Sequence, residues 1–231
     1  MLASRMRMGV TTVSLCNVLL RELGGSIGVL VVGVRERKKA SSRRALVDAA
    51  AKLFQERGVE ATTMDDIAHA AGMSRTSVFN YFGYKEMILC EIGARYVQEI
   101  AGPVIGDLNR PPDVLFHEVA QLLAAVADRE PSLIAAVARE TTHPDPDRRR
   151  RAQETMRYPA VVNQMLDQFA ANGALRHPEQ RESYGNELVD LLGGVLVRAA
   201  GVLPRERLRA EIEHTLELFM GGALKSSEQP A

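Results

Sequence analysis

From about residue 41 almost to the end of the chain, apolar residues recur at helical spacing. In SSRRALVDAAAKLFQERG, Leu46, Ala50, Leu53 and Phe54 fall at i, i+4, i+7 and i+8, which is one face of an α-helix. Gly58 follows as its C-cap. In TTMDDIAHAAG, Thr63 caps a second, short helix, and Asp66 three residues on makes a capping box with Asp in place of Glu. Asp65 and Asp66 also suit the positive end of the helix dipole. Ile67, Ala68 and Ala71 form the inner face, and Gly72 stops the helix. Ser74 caps a third helix, in which Val78 and Phe82, four apart, face inward. The pattern resumes at Lys85 through KEMILCEIGARYVQEIAG, punctuated by Pro103 and by Pro111-Pro112. Further blocks cover about 113–128, 131–141, 146–171, 179–200 and 204–223. HPDPD, NGALRHP and GVLP read as the turns between them. No strand-like alternation and no repeat of fixed period is present, so the pattern predicts an all-α fold.

Two short helices joined by AAGMS, the second opening on the polar run Ser74 to Ser77, describe a helix-turn-helix. Ala70, Ala71 and Gly72 are small enough for the two helices to cross closely. In such a unit the second helix enters the DNA major groove with its N-terminal residues at the base edges. Arg75 suits a forked contact to guanine, while Thr76 and Ser77 suit bases or phosphates. Asn80, Tyr81 and Lys85 lie further along, where the groove wall brings phosphate into reach. The N-terminus of the second helix, at Thr63, also suits a phosphate.

Charge sharpens this picture. The 231-residue chain has zero formal net charge, yet residues 35–85 carry +4 and residues 86–231 carry −6. A basic head on an acidic body is the asymmetry expected when one part meets a polyanion. RERKKASSRR, residues 35–44, reads as a flexible basic arm adding phosphate attraction. Residues 1–34 break the helical pattern and are expected to be a disordered, dispensable or misassigned extension. With 46% hydrophobic residues, the remainder can bury a sizeable core. Cys16 and Cys90 give neither a disulfide framework nor metal-ligand spacing and read as reduced thiols of a cytoplasmic protein. No apolar run approaches the roughly 20 residues of a membrane span. The five histidines are scattered, and no HExxH, GxSxG, Walker loop or glycine-rich dinucleotide turn occurs. The reading is therefore not an enzyme, with no cofactor and no metal.

RRALVDAAAKLFQERGVEATTMDDIAHAAGMSRTSVFNYFGYKEMIL, residues 43–89, closely resembles the DNA-binding domain of TetR-like transcriptional regulators. The carrying motifs are A..LF...G...TTM.DIA..AG.S....F.YF..KE. The resemblance implies a three-helix DNA-binding domain (35–85) joined to a larger helical ligand-binding and dimerisation domain (86–231). It implies DNA contacts at Thr63, Ser74, Arg75, Thr76, Ser77, Asn80, Tyr81 and Lys85. Phe79 departs from a common tyrosine, and Tyr84 from a small capping residue.

The resemblance also implies a homodimer, and a repressor released from a palindromic double-stranded operator by a small-molecule effector. The alternative is a constitutive DNA-binding protein with no effector. Leu188, Leu191, Leu192, Val195 and Leu196, with Leu208, Ile212, Leu216 and Phe219, are the expected dimer-interface stripes, internal core being the default for such helices. Phe116, His117, Met156, Tyr158, Asn163, Met165 and Phe169 are the candidate effector contacts, against a default of ordinary packing. The arginines of DRRRRAQE, 147–154, read as a solvated helix start, with an acidic ligand as the lesser reading.

Overall fold

The computed structural model describes residues 34–225. The expectation for residues 1–33 lies outside them. The chain divides into two units, Met1–Ser41 and Ser42–Ala231, and of the first only the opening turns of one helix are described. The described residues form ten α-helices and one 3-10 turn, with no strand.

Three helices make the head: α1 (Val34–Arg57), α2 (Met64–Ala70) and α3 (Arg75–Tyr81). The basic run 35–44, expected as a flexible arm, is instead the beginning of α1. Leu46, Ala50, Leu53 and Phe54 are buried, as their spacing predicts, against Ile67, Val78 and Phe82. Gly58 ends α1 at φ +83°, a left-handed conformation that a side chain would strain.

The long helix α4 (Lys85–Ile105) leads into the body. It runs through Pro103, which the sequence pattern had marked as a stop. Proline there falls in the last turn, where it forfeits one backbone bond and little helix remains to disturb. Against α4 pack α5 (Pro112–Arg129), α6 (Pro131–Thr141), α7 (Pro146–Met156) and α8 (Tyr158–Ala171), with α9 (Arg181–Ala199) on α6 and α8 and α10 (Arg205–Ala223) on α5 and α9.

The block expected as one helix over 146–171 is two helices. Arg157 between them adopts φ +59°, ψ +13°. Pro159 causes the break: it has no N–H to donate, and its ring would clash with the carbonyl one turn back. A backbone clamp closes the far end of the body. Arg176 N–H donates to Ala223 O (2.8 Å) and Lys225 N–H to Ala174 O (2.9 Å).

One charged side chain sits deep in the packing. Glu140 on α6 is 6% exposed and receives both arms of Arg148 on α7, at 2.6 and 2.8 Å. Glu86 on α4 lies 3.9 Å from the same guanidinium. Three helices thus meet at one charge-assisted knot.

Packing between α6 and α9 leaves no spare volume at Gly193, where an added Cβ would lie 2.5 Å from Cγ2 of Thr142. Gly193→Ala is expected to destabilise the fold by about 1–3 kcal/mol in urea unfolding. Adding Thr142→Ser, which deletes that methyl, is expected to recover most of the loss; simple additivity of the two changes would contradict the contact.

Candidate nucleic-acid interface and interior cavity

The head is built by caps. Thr63 accepts from Asp66 N–H (3.1 Å), and the Asp66 carboxylate accepts from Thr63 N–H (3.0 Å) and its hydroxyl (2.7 Å). These bonds hold the Asp66 carboxyl below the usual carboxylate range. Gly72, at φ +64°, makes the turn. Ser74 then caps α3 by accepting from Ser77 N–H (3.2 Å), and the two hydroxyls lie 2.8 Å apart. Val78 and Phe82 are buried on the opposite side, at 0% and 1% exposure. Ser74, Arg75, Thr76, Phe79 and Asn80 are exposed, and Ser77 and Tyr81 are half-buried. A solvent-facing polar first turn on an apolar mount is the geometry a groove-reading helix requires.

Arg75 is loosely parked. Its guanidinium lies 3.1 Å from Asp65 on α2 and 5.5 Å above the Phe79 ring. Such an exposed pair contributes at most about 1 kcal/mol, so a guanine edge can displace it. Phe79 was noted only for its missing hydroxyl, yet its ring is the platform under Arg75.

The structure uses Lys85 differently from the expected phosphate contact. Its ammonium donates to the carbonyls of Val59 (2.7 Å), Glu60 (3.2 Å) and Thr62 (3.3 Å). All three protons are engaged, so Lys85 staples the start of α4 to the turn before α2. Arg43, read only as part of a charge run, is a second such tie. It pairs with Glu91 of α4 at 2.5 Å and lies 4.3 Å over the Phe82 ring. Tyr84, at the N-cap of α4, makes no side-chain cap, as its departure from the family pattern suggested.

The body holds a cavity of about 180 Å³. Its wall combines Gly93, Tyr96 and Ile100 of α4 with Phe116 of α5, Val137 of α6 and Met156 of α7. Tyr158 and Met165 of α8, Leu192 of α9 and Leu216 of α10 complete the circuit. Four expected contacts, Phe116, Met156, Tyr158 and Met165, therefore line it.

Three do not. His117 points outward, 3.0 Å from Glu213 and 2.7 Å from the Gln121 amide. Asn163 lies where α8 meets Gly185 of α9. Phe169 stacks edge-on against Phe116 at 5.9 Å, behind the wall. The α4 contribution was missed, although its small Gly93 amid large apolar residues was a readable signal. A Cβ there would meet Met156 Sδ at 2.7 Å and Val137 Cγ1 at 2.8 Å.

The expected dimer stripes need correction. Leu188, Val195, Leu196, Leu208, Ile212, Leu216 and Phe219 are each at most 6% exposed within a single protomer, and Leu192 lines the cavity. They form the protomer's own core and pocket wall. Of that set only Leu191 is exposed (44%), and Leu218 (65%) and Val202 (75%) join it as outward-facing apolar side chains.

The model for bacterial regulatory proteins of the tetR family matches residues 46–92, and that for the C-terminal domain of TetR/AcrR family transcriptional repressors matches residues 96–222. The chain belongs to the TetR family. The boundary between the two matches falls inside α4, several residues beyond the expected break at 85/86. Among solved structures, FadR of Thermus thermophilus, a TetR family repressor in complex with lauroyl-CoA, superimposes with a TM-score of 0.70. It is 31% identical, over 82% of this chain and 99% of that one. Among curated relatives, the repressor KstR2 of Rhodococcus jostii (strain RHA1) is 42% identical over 64 residues, or 28% of this chain and 31% of its own length. The regulator HbdR of Aromatoleum sp. (strain CIB) is 36% identical over 98 residues, 40% and 42% of the respective lengths. These two matches thus span less than half of either relative. No helix of the described residues is long and apolar enough to cross a membrane, and they contain no cluster of metal-ligating side chains.

Arg75→Ala is expected to lower discrimination between operator variants by about 1–3 kcal/mol per half-site, while unfolding free energy changes by less than about 0.5 kcal/mol. Lys85→Met is expected to do the reverse. Chemical unfolding should show a loss of about 1–3 kcal/mol from the unmatched carbonyls, and binding should weaken equally on every duplex. A Lys85→Met protein of wild-type stability that merely loses DNA affinity would restore the phosphate assignment.

Proposed function

We propose that this protein is a homodimeric transcriptional repressor that leaves a palindromic operator when an acyl thioester enters its body. The observation that carries the proposal is the cavity: apolar, and walled on one side by the same α4 that is stapled to the head. A ligand that reshapes this wall has a direct mechanical route to α3. The similarity to a FadR holding lauroyl-CoA supports the ligand class. The constitutive alternative leaves a cavity of this size without a purpose.

DNA contacts are assigned to Thr63, Ser74, Arg75, Thr76, Ser77, Asn80 and Tyr81, with the α2 N-terminus facing phosphate and the first turn of α3 at the base edges. Dimerisation is assigned to the outer faces of α9 and α10, around Leu191 and Leu218. Above Gly194, Gly221 and Gly222 there is open space within the protomer, so a partner helix can approach closely. Arg198 and Glu211, 3.6 Å apart, bridge the two helices. Two heads on a two-fold axis read half-sites roughly 34–36 Å apart, or a multiple of that spacing. The protein would act in the cytoplasm, where the operator is.

Duplex selected from a random pool provides the operator. Lauroyl-CoA is expected to weaken its binding at least ~10-fold in fluorescence anisotropy, while unacylated CoA leaves it unchanged. If no acyl thioester of any length alters binding, the constitutive reading stands instead. Leu218→Arg is expected to convert the dimer to a monomer in light scattering, with operator affinity lost and the helical spectrum retained.

A further inference from the structure

Among the described residues, the cavity wall contains no Lys, Arg, His, Asp or Glu. Its only side-chain hydroxyls are those of Tyr96, Thr141 and Tyr158. Two of the three protons are already donated: Tyr96 to Glu130, and Thr141 to Ala138 O at 2.9 Å. Tyr158 differs. Its hydroxyl is buried in the wall and its proton reaches no acceptor at hydrogen-bond geometry, while the Gln153 side chain beside it acts on the oxygen as a donor. The neighbouring Gln153 amide is directed to Thr141 O, 3.4 Å away. Tyr158 is held there by the break between α7 and α8, which the left-handed Arg157 creates.

A donor without an acceptor in a cavity wall is what a site shows when the bound state supplies the acceptor. A buried carboxylate, by contrast, would enter this cavity with no cation to meet it, at a cost of several kcal/mol. A neutral carbonyl needs only one donor.

We infer that the cavity takes the uncharged acyl part of a thioester, with Tyr158 donating to its carbonyl, and that it rejects the corresponding free fatty acid. This rests on the acyl-thioester reading above and adds the atom that reads the ligand and the ligand that is refused. Burial raises the Tyr158 pKa, with Asp190 reinforcing the shift against the smaller opposing effects of Gln153 and Arg149. The hydroxyl therefore stays protonated and remains a donor throughout the physiological range.

The test uses the full-length protein in titration calorimetry with three probes: lauroyl-CoA, its thioether analogue S-dodecyl-CoA, which lacks the carbonyl, and dodecanoate. Wild type is expected to bind the thioester roughly three- to tenfold more tightly than the thioether. Dodecanoate is expected to bind at least ~100-fold more weakly than lauroyl-CoA. Tyr158→Phe is expected to erase the thioester–thioether difference while leaving thioether affinity unchanged. Equal losses on both CoA ligands would mean a packing role and overturn the assignment, as would no loss on either. Dodecanoate binding within tenfold of lauroyl-CoA would overturn the neutral-cavity inference. If Tyr158→Phe fails to fold, the wild-type ratio still decides, since a ratio of one leaves no donor at work. Should neither CoA ligand bind wild type, the acyl-thioester reading itself has failed, a separate result that removes this inference with it.

Discussion

One helix belongs to two cores at once. The first turns of α4 bury Ile88, Leu89 and Ile92 in a core continuous with that of the head, while Tyr96, Ile100 and Val104 of the same helix wall the cavity. Neither end can move freely without disturbing the other, because buried apolar packing has little slack. Polar ties reinforce the head end. Lys85 donates to three carbonyls of the turn before α2, and Arg43 joins α1 to Glu91. The Glu86–Arg148–Glu140 knot ties the same first turn of α4 to α6 and α7 of the body. An angle change of α4 at Gly93 is therefore transmitted to α3.

The cavity supplies free energy for such a change. Its lining is almost wholly apolar, so an apolar group that enters takes that surface out of contact with water, worth roughly 25 cal/mol per Å². Only the part of that which differs between the DNA-competent and released arrangements shifts the equilibrium. Close contact of Gly93 with Met156 and Val137 makes α4 sensitive to what enters. The wall can yield through the flexible methionine or by displacement of the helix.

The head was legible in the sequence because its signals are local. Thr63 with Asp66, Gly72, and Ser74 with the Val78–Phe82 pair each declare themselves within a few residues, and the structure forms each as spaced. The body was legible as helices but not as surfaces. Periodicity in α9 and α10 identifies which face is buried, not what buries it, so Leu188 and Ile212 were assigned to a partner when the same protomer covers them. The break at Arg157 was overlooked although Pro159 stood two residues on. Cavity residues from α4 to α10 are drawn together only by the tertiary fold, which no local pattern encodes. Lys85 shows the limit in a single side chain. Chemistry placed a cation near phosphate, while the fold had already offered it three carbonyls.

Those carbonyls decide how the head is held. The carbonyls of Val59, Glu60 and Thr62 lie in the turn between α1 and α2, and Lys85 donates to all three, its bonds to Val59 and Thr62 being partly buried. A lysine from the first residue of α4 meets them with a charge, so the turn, the N-cap of α2 and the start of α4 become one unit. The N-terminus of α2 is also where a phosphate would dock. A tie of this kind lets the position of α4 set that of the groove-reading helix without any residue spanning from cavity to DNA.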